Sequence, residues 1–215
     1  MMTKFDYFKC WIKYKVFHKQ RKPKDVQEFW KKAENDSWKN YSQGIEKSIF
    51  LANLIERLPS LKDCKILELG CNVGRNLAYL ESVGCKRLYG VELNKDAIEA
   101  SKKIYPGLKA KIFNSTIEDF MQTHFEQYSL IFTMAVLEHI PQESEWIFAS
   151  IAARSYYIVT IEDEKSISKI CFPRNYKTIF ERLGMQQIYE TGCNEVHRSL
   201  TKNFKARIFQ HEERK

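Results

Sequence analysis

Four groups of residues in this chain have the types and spacing to do chemistry. The first is Glu68-Leu69-Gly70-Cys71-Asn72-Val73-Gly74, an acid followed by two glycines and then Arg75-Asn76. Glycines at this spacing let a backbone turn sharply and come close to a bound molecule. A helix opening behind them would offer unpaired N–H groups to it. The second is Glu92, a lone acid closing an apolar run; a carboxylate is acceptor-only and can take two hydroxyls at once. The third is Glu138-His139-Ile140-Pro141, whose imidazole has a suitable unperturbed pKa for a general base. The fourth is Glu162-Asp163-Glu164, oxygen donors able to orient a hydroxyl or an amine, or to hold a divalent cation.

The elements that must position these groups follow from periodicity and punctuation. Ile66, Leu67 and Leu69 make a short buried strand, and residues 76–83 a helix stopped at Gly84. Residues 87–94 read as a second strand with Glu92 near its carboxyl end. Asn94 then caps a helix over 96–104. Strands are expected at 109–113, 128–135 and 156–161, helices at 146–153 and 177–183, and a closing antiparallel pair at 185–190 and 205–210. Alternation of this kind is the mark of an α/β fold: a Rossmann-like, doubly wound sheet of mostly parallel strands with an antiparallel closing strand. Ligands in such sheets sit beyond the carboxyl ends of the strands, where the strand order reverses, here between the first and fourth. That places the glycine turn, Glu92 and His139 around one crevice, with Glu92 where ribose hydroxyls are accepted. The pattern is neither G-x-G-x-x-G nor a phosphate loop, and no lysine follows Gly74 to serve a triphosphate.

The glycine turn, Glu92 and Glu138-His139-Ile140-Pro141, in that order, resemble a class I methyltransferase dependent on S-adenosylmethionine. The resemblance runs from about residue 30 to the end of the chain, with its core at 66–141. It implies S-adenosyl-L-methionine as cofactor and S-adenosyl-L-homocysteine (SAH) as product. Gly70 and Gly74 would admit the methionine portion, framed by Glu68, Cys71, Asn72 and Asn76. Glu92 and Leu93 would take the ribose, Ile117 would pack on the adenine, and Met134 would complete the wall. Thr116 stands where similar enzymes usually carry an acid beside the adenine amino group, a departure from the common pattern. Tyr41 is the candidate for a lid contact over the cofactor, with core packing of Trp30, Trp38 and Tyr41 as the alternative. His139 and Glu162 are the catalytic candidates; the alternatives are a shared structural role for the first and a solvated loop for the second. Methyl transfer is an in-line displacement with a good leaving group, so the protein must mainly bind, align and shield. The expected acceptor is an O or N atom of a small molecule or a sugar-containing compound, a glycan included. An RNA or protein methyltransferase and a non-catalytic cofactor-binding scaffold stand as alternatives.

The chain has 215 residues, enough for one domain with an appended segment: a helical extension and cofactor lid at 1–58 and the sheet domain at 59–215. Six cysteines form no C-x-x-C pair, which points to a reduced, cytoplasmic compartment and gives no spacing signal for a metal. No apolar run is long enough to span a membrane. The net charge of +8 is unevenly placed. Up to Lys24 there are eight bases against Asp6 alone, which leaves about +1 for the rest. A near-neutral catalytic region disfavours nucleic acid as substrate. The leader is also aromatic, and it suits either peripheral contact of residues 1–24 with an anionic membrane or a helix packed on the domain. Nothing in the sequence fixes an oligomeric state.

Overall fold

The computed structural model describes residues 23–32 and 42–211. The basic leader at 1–22, Trp38 and Tyr41 lie outside the described residues, and so do the readings that fall on them. Two helices precede the sheet, α1 (Pro23–Lys31) and α2 (Ile45–Ile55). Then come β1 (Lys65–Leu69), α3 (Arg75–Ser82), β2 (Arg87–Glu92), α4 (Lys95–Ile104), β3 (Lys111–Asn114), α5 (Ile117–Thr123) and β4 (Tyr128–Met134). Two short 3-10 turns at Leu137–His139 and Gln142–Ser144 lead into α6 (Trp146–Arg154), β5 (Ser155–Asp163), α7 (Tyr176–Arg182), β6 (Met185–Gly192) and β7 (Phe204–His211).

The strands form one sheet in the order β3-β2-β1-β4-β5-β7-β6. Only β7 runs against its neighbours, pairing antiparallel with both β5 and β6, so the doubly wound sheet with an antiparallel closing strand is the architecture observed. Strand order reverses between β1 and β4, where Leu69 pairs with Thr133. Apolar residues run continuously along the strands because both faces are covered, and successive ones enter opposite cores. Ile66, Leu130, Val159 and Ile208 join the core under α2 and α3. Leu67, Ile131, Ile158 and Phe209 join the core under α5, α6 and α7. The α2 helix, which the sequence groups with the N-terminal extension, contributes Leu51, Leu54 and Ile55 to the first of these cores. It is part of the sheet's packing, not an appendage to it. Among the described residues no helix is long and apolar enough to cross a membrane.

The fifth strand is longer than its apolar run implies. It continues through Glu162 and Asp163, because β7 pairs with it as far as the Asp163–Phe204 register. Glu162, Asp163 and Glu164 are therefore buried instead of lying on a solvated loop. Glu164 is matched by Arg207 of β7, with contacts of 2.7 and 2.9 Å. The α5 helix has no counterpart among the expected elements: it spans seven residues and starts on Thr116, whose hydroxyl caps it by accepting the Asp119 N–H at 2.9 Å.

Candidate active site

At the reversal point the carboxyl ends of β1, β2 and β4 enclose a cavity of about 460 Å³. Its floor is the turn after β1. The Gly70 N–H and Cys71 N–H both donate to the Val91 carbonyl, at 2.8 and 3.0 Å, which pins the turn to β2. Gly70 (φ +72°) and Asn72 (φ +48°) adopt the left-handed conformation. A Cβ on Gly70 would stand 2.5 Å from Val136 Cγ2, so the residue must be glycine both for its dihedral and for the approach of the β4 exit. Gly74, expected beside the cofactor, is not on the cavity wall. It opens α3 at φ +75° and lies under α4, where a Cβ would be 3.1 Å from Leu108 and 3.3 Å from the Ser101 hydroxyl. Its requirement is close packing.

Two buried carboxylates, Glu92 and Glu68, line the cavity. Glu92 accepts the Asn94 N–H on one oxygen (2.7 Å) and the Asn72 N–H on the other (2.8 Å). Burial raises its pKa, and these backbone donors oppose the rise. The side chain is thus oriented with lone pairs to spare, since each carboxylate oxygen can accept more than one bond. Glu68 accepts the Asn76 Nδ2–H at 2.7 Å on one oxygen. Its other oxygen is buried without a partner among the described residues. Burial pushes Glu68 up to about 8. Asn76 is held in turn by the Ser48 hydroxyl (2.8 Å) and Arg75 (3.0 Å), which ties α2, β1 and α3 into one polar cluster.

The remaining cofactor candidates divide by role. Cys71, Asn72, Leu93, Ile117 and Met134 line the cavity. Cys71 also fills the space that Gly90 leaves: a Cβ there would be 2.6 Å from its sulfur. Thr116 reaches the wall, but its hydroxyl is spent on the cap of α5. An acid does arrive nearby, because the first turn of that helix brings Glu118 to the same wall. Glu118 carries no signal in the sequence, because the helix that presents it is not among the expected elements. Neither do Lys47, Ser199 and Leu200, which line the cavity from α2 and the β6–β7 loop. Lys47 Nζ lies 3.4 Å from the Ser199 hydroxyl, and burial followed by the charge of Arg75 lowers its ammonium to about 8.

The roof is α1, through Val26, Gln27 and Trp30. Asn94 donates to the Trp30 carbonyl at 3.3 Å, and the Trp30 ring sits 4.6 Å from that of His139. Trp30 therefore bridges the exit of β2 and the exit of β4. His139 lines the cavity, with Nδ1 only 2.7 Å from the Ile170 carbonyl. A carbonyl accepts only, so Nδ1 carries the proton and Nε2 presents its lone pair. Burial lowers the His139 pKa, which keeps the ring neutral near pH 7.

Glu162 is in a different place from that expected of a catalytic acid. It is fully buried and absent from the cavity wall. One of its oxygens accepts the N–H groups of Val136 (2.9 Å) and Glu138 (3.2 Å), so it braces the turn that carries His139 from behind. Removing that acceptor leaves two buried donors unmatched, at about 1–3 kcal/mol each. Glu162→Ala is therefore expected to lower the melting temperature by roughly 5–15 °C in a thermal melt. An unchanged melting temperature would contradict the bracing role. Arg174, just before α7, and Tyr176, at its start, are likewise structural: Arg174 pairs with Glu145 at 3.0 Å and Tyr176 is fully buried.

The sheet order and its covering helices are the fold of solved S-adenosylmethionine-dependent methyltransferases. Residues 66–154 match the family model described as a methyltransferase domain. Two curated relatives are ubiquinone biosynthesis O-methyltransferases. That of Hydrogenovibrio crunogenus is 27% identical over 124 residues, covering 50% of this chain and 51% of that protein. That of Vibrio atlanticus is 29% identical over 98 residues, covering 45% and 41%. The chain thus spans about half the length of the curated relatives it matches. Among solved structures, magnesium protoporphyrin IX methyltransferase from Synechocystis PCC 6803 with bound SAH shares the fold. Its TM-score is 0.67 at 13% identity, over 87% of this chain and 98% of that one.

Proposed function

We propose that the protein transfers a methyl group from S-adenosylmethionine to an oxygen or nitrogen atom of a small-molecule or sugar-containing acceptor. The observation that carries this is that one cavity has both Glu92 and His139 in its wall. Its size falls within the range of small-molecule sites, roughly 300–1,000 Å³. The residues present fit the cofactor. Glu92 supplies acceptors for the two ribose hydroxyls, the close approach at Gly70 leaves room for the aminoacyl portion, and Ile117 and Glu118 serve the base. The unpartnered oxygen of Glu68 suits an ammonium, and Lys47 suits the carboxylate beside it. When bound, the cofactor supplies an electrophilic methyl on a positively charged sulfur. The chain's own work is to align the acceptor against that carbon, exclude water beneath α1 and, through His139 Nε2, receive a proton from an acceptor that has one to lose. The names of the curated relatives favour a small acceptor and oxygen.

The two groups near 8 give a pH signature. Below about pH 8 Glu68 is protonated and must release a proton to hold an ammonium. Above about pH 8 Lys47 is neutral and must take one up to hold a carboxylate. Affinity for SAH is expected to peak near pH 8 and to fall on both sides. Glu68→Gln should flatten the acidic limb. Lys47→Met should weaken the basic limb, where the ligand's own ammonium also titrates, so the difference from wild type is the readout. Calorimetry across pH checks this, and a profile identical in all three proteins would contradict it.

The reaction is tested by incubating the full chain with methyl-labelled S-adenosylmethionine and the fractions of a cell extract. Label is expected in the small-molecule fraction. Label confined to RNA or protein, or in no fraction, would contradict the proposed acceptor class.

A further inference from the structure

The β4 exit turn and the segment after β5 bring together three side chains that methyl transfer as described does not all use. Ligand atoms of Glu138, His139 and Cys171 lie within 4.8 Å of one another. Glu138 and His139 are on the cavity wall, and Cys171 comes to them from the loop before α7. The two segments are fastened by the Phe172 N–H, which donates to the Glu138 carbonyl at 2.7 Å. Arg174 adds bonds to the Leu137 and Phe172 carbonyls.

We propose that Glu138, His139 and Cys171 form a site for a borderline-soft divalent cation of the zinc class, open toward the cavity. The donor set argues for this class: carboxylate, imidazole and thiolate suit zinc, whereas magnesium and calcium take oxygen ligands. Three protein ligands with a fourth position open is the pattern of a reactive zinc site, not a purely structural one. The outer contacts are those such sites require. His139 gives its Nδ1 proton to the Ile170 carbonyl, which leaves Nε2 for coordination. Glu138 Oε1 is 3.6 Å from that Nε2, a spacing that a cation bonded to both atoms can bridge, while its Oε2 is fixed by the Asp163 N–H. The Cys171 sulfur is 3.7 Å from Nδ1, so its thiolate has to turn toward Nε2 to share the cation. Charge points the same way. Glu138, Glu162 and Asp163 are all buried here, and among the described residues His139 is the one basic group paired with any of them.

The catalytic consequence rests on the methyltransferase reading; the site itself does not. With the cation on Nε2 that nitrogen no longer accepts a proton, and an acceptor O–H polarised at the open position would release its proton to water at neutral pH instead. The lone pair left on that atom then forms the bond to the methyl carbon as the carbon–sulfur bond of the cofactor breaks, its electron pair leaving with the sulfur as a neutral thioether.

The test uses the full chain, zinc and cobalt as probes, and SAH calorimetry alongside. After chelator treatment, one equivalent of zinc should rebind, and cobalt should give a thiolate-to-metal charge-transfer band in the near ultraviolet. Cys171→Ser should abolish the band and weaken zinc by about 10–100-fold or more, the loss expected when even an outer contact of a metal site is removed. His139→Ala should lower zinc affinity likewise, and Cys171→Ser, which lies off the cavity wall, should keep the SAH heat that reports an intact fold. No zinc uptake, or a cobalt band that survives Cys171→Ser, overturns the proposal. SAH heat without zinc uptake sinks this inference alone; zinc uptake without SAH heat upholds the site and sinks its role in methyl transfer.

Discussion

Glu92→Ala is expected to raise the dissociation constant for SAH by about 10²–10⁴-fold, from two ribose hydroxyl contacts. Each hydrogen bond from a ribose hydroxyl to an ionised carboxylate contributes about 1.5–3 kcal/mol, and every 1.4 kcal/mol is tenfold. Glu92 also anchors the glycine turn through the Asn72 N–H and its own strand exit through the Asn94 N–H. The variant should therefore lose stability as well as affinity. Glu92→Gln separates the two effects: it keeps an acceptor for one backbone donor but loses the charge, so affinity should drop about tenfold with a smaller stability change. Calorimetry with SAH and a thermal melt on each variant give both numbers. An affinity unchanged in Glu92→Ala would remove the ribose assignment.

Gly70→Ala should be nearly as damaging, for a steric reason. At φ +72° a residue with a Cβ costs about 1 kcal/mol or more. The added carbon would also stand 2.5 Å from Val136 Cγ2 and 2.9 Å from its Cγ1. Overpacking of this kind costs about 1–3 kcal/mol. A fall in melting temperature of roughly 5–15 °C is expected, with loss of SAH binding because the turn must shift away from the β4 exit. Val136→Ala in the same chain removes the clash but not the dihedral strain. The double variant should regain about 1 kcal/mol or more over the sum of the single effects. Strict additivity would mean that the two side chains do not meet.

What the sequence disclosed depended on whether the physics was local. The turn after β1 was legible because its glycines answer a backbone requirement, and Asn94 was legible as a cap because its partners, the N–H groups of Asp96 and Ala97, are two and three residues away. Parallel strands with both faces covered leave continuous apolar runs, so the sheet was legible too. Glu162 was misplaced because its burial depends on β7, which pairs beside it from more than forty residues downstream. Gly70 and Gly74 look alike in the sequence; only the packing of Leu108 and Ser101 against Gly74 tells them apart. Lys47, Ser199 and Cys171 reach the cavity region from remote segments and carry no spacing signal. Thr116 illustrates a local ambiguity: its position suited an adenine contact, and its chemistry suited a helix cap that the structure shows it making.

Titration of the purified full chain with SAH tests the central claim most directly. One molecule should bind per chain, with measurable heat and an affinity abolished or weakened at least a hundredfold by Glu92→Ala. Absence of heat with both SAH and S-adenosylmethionine, in a protein whose melting curve shows it folded, would contradict the account at its base.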